Sequence, residues 1–63
     1  MKRAVIYTKD IQRITGKSEK YSRRLMIQIK TSCAKEPHQF ISIEDFCRYT
    51  GLSPELVTTF IID

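Results

Sequence analysis

Two cysteines, two prolines, two glycines and a single histidine are all that this chain of 63 residues holds of those types, and each scarcity closes off a class of protein. Small secreted scaffolds normally use about four or more cysteines, so Cys33 and Cys47 are expected as free, buried thiols. A structural zinc would have to combine Cys33, His38 and Cys47 without a C-x-x-C pair or a further ligand, and no metal is expected. One histidine in a proline-containing loop, no carboxylates grouped around a nucleophile and no glycine-rich phosphate loop leave nothing for acid-base or covalent chemistry. The chain is expected not to be an enzyme and to need no cofactor. No apolar run approaches the roughly 20 residues that span a bilayer, and the one after Met1-Lys2-Arg3 is too short for a signal-peptide core. These absences predict a cytoplasmic protein with no membrane partner.

What remains is charge, unevenly placed. Ten of the eleven Lys and Arg lie in residues 1–35 against Asp10 and Glu19, giving 10 − 2 = +8. Residues 36–63 hold Arg48 against Glu36, Glu44, Asp45, Glu55 and Asp63, giving 1 − 5 = −4. The split suggests a polyanion-binding face on the first half, although attraction between the halves would produce the same pattern. A chain this short buries only about 60% of its unfolded surface and has little room for a ligand cavity, so one domain over residues 1–63 is expected.

Periodicity and capping signals divide that domain. Ala4-Val5-Ile6-Tyr7 predicts a short strand, and Thr8 an N-cap for a helix over Lys9 to Thr15 with Ile11 and Ile14 inward. Gly16 ends that helix, Ser18 caps the next, and no Gly or Pro interrupts a second helix until Pro37, so it is expected to run to about Ala34. Ser22, Leu25, Met26, Ile29 and Cys33 form its core stripe, leaving Lys20, Arg24, Ile27 and Thr31 opposite. Phe40-Ile41-Ser42-Ile43 predicts another short strand. Ser42 to Asp45 has the form of a capping box and starts a third helix over Ile43 to Thr50, stopped by Gly51. Ser53-Pro54-Glu55 opens a fourth, with Leu56, Val57, Phe60 and Ile61 as its apolar face. The expected architecture is mainly α: four helices in two helix-turn-helix-like units, a basic one over residues 4–35 and an acidic one over residues 39–63, with two short strands able to pair.

An offset of 35 residues aligns Ile6 with Ile41, Asp10 with Asp45, Arg13 with Arg48, Thr15 with Thr50, Gly16 with Gly51 and Ser18 with Ser53, six identities in thirteen positions. Apolar positions agree too: Ile11 with Phe46, Ile14 with Tyr49, Leu25 with Phe60, Met26 with Ile61. Both halves thus read as an internal repeat of strand, helix, Thr-Gly-x-Ser corner and helix. From Ile11 through Gly16 and Ser18 to Leu25 the chain resembles small bacterial helix-turn-helix DNA-binding domains, excisionase-like or MerR-like, in two degenerate copies. It departs from them at Gln12, Lys17 and Ser22, where Cys47, Leu52 and Val57 of the second copy fit better. The resemblance implies a transcriptional regulator or an excisionase-like accessory factor that puts the helix after Ser18 against double-stranded DNA. Candidate DNA contacts are Lys17, Lys20, Arg23 and Arg24, with Lys9, Arg13 and Lys30 as phosphate neighbours, and the start of the first helix at Thr8 and Lys9 offers amides to a phosphate. The alternative is a protein-interaction module or homo-oligomeric adaptor without DNA binding, docking through Ile27 or through the acidic second unit.

Overall fold

A computed structural model describes residues 4–61. Lys2, Arg3 and Asp63, which enter the charge reading above, and Met1 lie outside the described residues. The two apolar runs find each other: Val5–Ile6 (β1) pairs antiparallel with Ile41–Ser42 (β2), Ile6 opposite Ile41 and Val5 opposite Ser42. Such a short ladder adds little alone, but Ile6 and Ile41 are both fully buried, so core packing holds it. Four helices follow the expected order: α1 (Thr8–Thr15), α2 (Glu19–Ser32), α3 (Ile43–Thr50) and α4 (Pro54–Thr58).

Helix α3 starts where its capping box predicts. Ser42 Oγ accepts from the Asp45 amide at 2.9 Å while Asp45 Oδ2 accepts from the Ser42 amide at 3.1 Å. Helix α1 starts one residue earlier than expected, because Thr8 is its first helical residue and Tyr7 its N-cap. Asp10 explains the shift: its Oδ2 accepts from the Tyr7 amide at 2.8 Å, the acidic half of the same device, although the Tyr7 side chain accepts no capping bond.

Each corner is built from a threonine, a glycine and a serine. Thr15 Oγ1 donates to the Ile11 carbonyl at 2.7 Å and accepts from the Lys17 amide at 3.2 Å, bridging the last turn of α1 to the chain beyond it. Between them Gly16 turns left-handed at φ 72°, and Ser18 Oγ accepts from the Tyr21 amide at 3.1 Å to open α2. The α3–α4 corner has the same bonds. Thr50 Oγ1 donates to Phe46 at 2.8 Å and accepts from Leu52 at 3.3 Å, Gly51 sits at φ 82°, and Ser53 Oγ accepts from Leu56 at 3.1 Å.

The two second helices end differently from expectation. Helix α2 stops at Ser32, short of Ala34, because Ala34 adopts φ 57° and the chain closes with Lys35 N–H donating to the Lys30 carbonyl at 2.8 Å and Ala34 N–H to Thr31 at 3.2 Å. This is a Schellman end, in a sequence without the usual glycine. Helix α4 ends at Thr58, and the Thr59, Phe60 and Ile61 amides reach back only three residues, to Leu56, Val57 and Thr58. That tighter winding breaks the expected apolar face. Val57 and Ile61 are buried, Phe60 is half-buried, and Leu56 is 47% exposed.

A single core joins the halves. Ile11 and Ile29 from the first, Phe46, Cys47, Val57 and Ile61 from the second, and the Ile6–Ile41 pair between them form one cluster, with Ile14, Leu25, Met26, Cys33, Ile43 and Leu52 packed against it. Ser22 is also fully buried, and its hydroxyl donates to the Ser18 carbonyl at 2.9 Å, which makes a polar side chain tolerable there. The radius of gyration is 10.7 Å, against about 10.6 Å for a folded chain of this length, so the halves form one globule. Among the described residues no helix is long and apolar enough to cross a membrane.

Candidate nucleic-acid interface

The first helix pair contains only two acidic side chains, and both are engaged. Asp10 is fully buried and its Oδ1 lies 3.2 Å from Arg13 Nη1, in addition to the bond from the Tyr7 amide. Glu19 pairs with Arg23 one turn along α2, both side chains more than half exposed. Lys9, Lys17, Lys20 and Arg24 are exposed, and among the described residues none of them is in an ion pair. Lys17 is steered by a ring: its ammonium stands 5.7 Å from the centroid of Tyr21, which is 42% exposed.

Geometry thus sorts the sequence candidates into three groups. Lys9, Arg13 and Lys17, with Gln12 and Gly16, line one open groove where α1 turns into α2. Lys20 and Arg24, four apart on the exposed side of α2, continue the basic surface from the corner, with Arg23 beside them but tied to Glu19. Lys30 stands apart. It lies roughly 18 Å along the helix axis from Ser18 by helical rise, is half-buried, and its Nζ donates to the Pro37 carbonyl at 2.7 Å, so it holds the connection after α2. The start of α1 also differs from the expected phosphate seat, because Asp10 already places a carboxylate at that helix end.

At the matching places of the second pair, 35 residues on, the charges are gone or reversed. Glu44 stands for Lys9, Leu52 for Lys17, Glu55 for Lys20 and Thr59 for Arg24. Only Arg48, matching Arg13, keeps its charge, with Nη1 3.7 Å from Asp45 Oδ1. Asp45 also pairs with Lys35 at 3.3 Å. The backbone bond from Ser42, then the Ser42 hydroxyl and Lys35, outweigh partial burial and hold the Asp45 carboxyl below its ordinary range. Glu55 and Glu44 both act on Cys47, whose thiol is pushed up by burial first and by those two charges second. Both cysteines are free thiols, Cys47 buried and Cys33 half-buried. Among the described residues no three His, Cys, Asp or Glu side chains group as metal ligands would.

Sequence reasoning missed the bonds of the two threonines, whose hydroxyls bridge the corners, Thr15 before α2 and Thr50 before α4. Their signal was present as Thr-Gly at the end of each first helix. It also missed the Lys17–Tyr21 contact, visible as an i, i+4 spacing. Among the described residues the most exposed large apolar side chains are Ile27, at 65%, on the same side of α2 as Lys20 and Arg24, and Phe40, at 64%. No protein-family model, curated protein or solved structure matches the chain.

Proposed function

We propose that this protein binds duplex DNA through the first helix pair, as a helix-turn-helix module of two degenerate units with α2 as the recognition helix. The observation that carries the reading is that both carboxylates of that pair are engaged while Lys9, Lys17, Lys20 and Arg24 stand exposed around one corner. An α-helix with donors on its outer face fits the major groove, and Arg24 suits the O6 and N7 acceptors of guanine. The role that follows is that of a cytoplasmic transcriptional regulator or an excisionase-like accessory factor, with no catalysis of its own. Binding of a short fluorescein-labelled duplex, followed by anisotropy, tests it. With about four phosphate contacts at about 0.9 each in the log-log salt slope, affinity should fall roughly a hundredfold between about 50 and about 200 mM salt. Absence of binding at the lower salt removes the reading.

A second reading rests on Ile27 and Phe40, whose exposure suits a protein partner or a second copy of the chain. Light scattering at micromolar concentration separates the two. A dimeric parent that becomes monomeric with Ile27→Ala, and that ignores duplex, would favour the interaction module.

A further inference from the structure

We infer that the groove lined by Lys9, Gln12, Arg13, Gly16 and Lys17 holds one phosphodiester of the DNA backbone, and that this contact sets how α2 lies on the duplex. The inference rests on the DNA-binding reading and divides its labour: Lys9 and Lys17 position, while Lys20 and Arg24 meet the bases.

The groove is shallow and walled mostly by aliphatic stems, but four of its five residues, Lys9, Gln12, Arg13 and Lys17, carry hydrogen-bond donors at their tips. Lys9 and Lys17 bring ammonium groups, and Gln12, half-buried at the groove wall, brings an amide. Arg13 is anchored from behind. Its Nη1 is bonded to the buried Asp10 carboxylate, while the side chain remains 39% exposed, so the guanidinium keeps further N–H donors for an anion in front. Tyr21 steers Lys17. At the turn itself, a Cβ built on Gly16 would meet no atom within 4 Å, so nothing obstructs the approach of a ligand.

The second helix pair separates what the fold needs here from what a ligand would need. Arg48, Asp45 and Gly51 reproduce the arginine, the carboxylate and the left-handed glycine, so those three belong to the corner as a structure. At the places of Lys9, Gln12 and Lys17 stand Glu44, Cys47 and Leu52, so the corner forms without either ammonium or the amide. Two exposed lysines that the architecture does not require, beside an oriented arginine, fit an anion. The groove is open, and the cations continue from Lys17 to Lys20 and Arg24 along α2, which matches one phosphate within a polyanion rather than a small free anion.

The experiment uses the full chain with Lys9→Glu and Lys17→Leu, substitutions to the residues that the second pair carries at the matching places. Each should fold as the parent does by circular dichroism and should lower the salt slope of duplex binding, the two together by about 0.9, the loss of the one phosphate contact they share. Lys9→Gln and Lys17→Gln, which keep most of each side chain, should lower it equally. Inorganic phosphate should compete no better than its ionic strength alone accounts for. If the parent binds duplex and these variants keep its slope while Lys20→Gln and Arg24→Gln lose it, the phosphate lies elsewhere and the inference falls. If inorganic phosphate displaces duplex beyond its ionic-strength effect, the groove is a free-anion site and the inference falls as well. A parent that ignores duplex at low salt overturns the DNA-binding reading itself.

Discussion

The α1–α2 pair and the α3–α4 pair turn the same corner with the same bonds and present opposite charge. Asp10 and Asp45 each accept from an N-cap amide and hold an arginine three residues on, and Thr15 and Thr50 each bridge the turn. Around those shared parts, Lys9, Lys17 and Lys20 are matched by Glu44, Leu52 and Glu55. The comparison teaches which residues the backbone requires and which are free to serve a partner. It also places Arg13, a candidate contact by sequence, among the structural residues first.

The hardest way to break the comparison is through the core that both pairs share. Ile11 and Phe46 occupy matching places and are both fully buried. Phe46→Ala should cost about 3 to 5 kcal/mol and Ile11→Ala about 2 to 5 kcal/mol, a large share of the stability of a domain this small. In urea each variant and the parent should show one transition by tyrosine fluorescence and by circular dichroism alike. Separate transitions for the two probes would mean that the pairs are independent units.

The carboxylates come next. Asp10 is fully buried while the Asp45 side chain keeps 15% exposure, so Asp10→Ala should cost about 2 to 3 kcal/mol and Asp45→Ala about 1 to 2 kcal/mol, read from urea midpoints. Acid should reveal Asp45 directly. Its folded-state pKa is lowered by the Ser42 backbone bond first, so its stabilisation is present above the ordinary value of 3.8 and is lost as pH falls through the lower folded value. Asp45→Asn should therefore narrow the stability difference between neutral pH and the region below 3.8. An unchanged acid slope would show that Ser42 does not bond the ionised form.

On the basic face the pairing of Glu19 with Arg23 sharpens the contrast within α2. Arg24→Ala should weaken duplex binding by about 1 to 3 kcal/mol with little change in its salt slope, as for a base contact, and Arg23→Ala should weaken it less, because Arg23 already faces a carboxylate. Glu19→Gln releases Arg23 and should tighten binding. In the second pair, Glu55→Gln should change affinity only slightly, through screened charge at a distance. A loss of binding on that change, with Arg24→Ala binding like the parent, would reverse the roles of the two pairs.

Legibility followed locality. Capping boxes, left-handed glycines and the core stripe of α2 depend on residues within a few positions of each other, and Ser42, Gly16, Gly51, Ser18 and Ser53 stand where the sequence places them. The offset of 35 residues is echoed by bonds that composition does not show, since hydroxyl geometry at Thr15 and Thr50 depends on the turn already made. What escaped was decided by competition. Asp10 moved the N-cap of α1 from Thr8 to Tyr7, α4 buries Val57 while Leu56 beside it stays exposed, and the Pro37 carbonyl drew Lys30 away from the basic face. Charge pattern alone could not tell a committed cation from an exposed one.

The smallest effect tests the helix ends. Among the described residues three adopt positive φ: Gly16 at 72°, Gly51 at 82° and Ala34 at 57°. The first two end the first helix of each pair, and the third ends α2. A left-handed conformation costs an L-residue roughly 1 to 2 kcal/mol, whereas glycine adopts it freely and loses about 0.4 to 1 kcal/mol through the greater freedom of its unfolded chain. The difference favours glycine at all three places. Ala34→Gly should stabilise the domain by about 0.5 to 1 kcal/mol, keeping the bonds from the Ala34 and Lys35 amides to Thr31 and Lys30. Gly16→Ala and Gly51→Ala should lose about 1 kcal/mol each. No atom lies within 4 Å of a Cβ built at either glycine, so that loss is backbone strain without a clash, and the two values should agree. Thermal unfolding of the three single variants decides the matter. A destabilised Ala34→Gly would mean that the Ala34 methyl group makes a contact worth more than the strain it imposes.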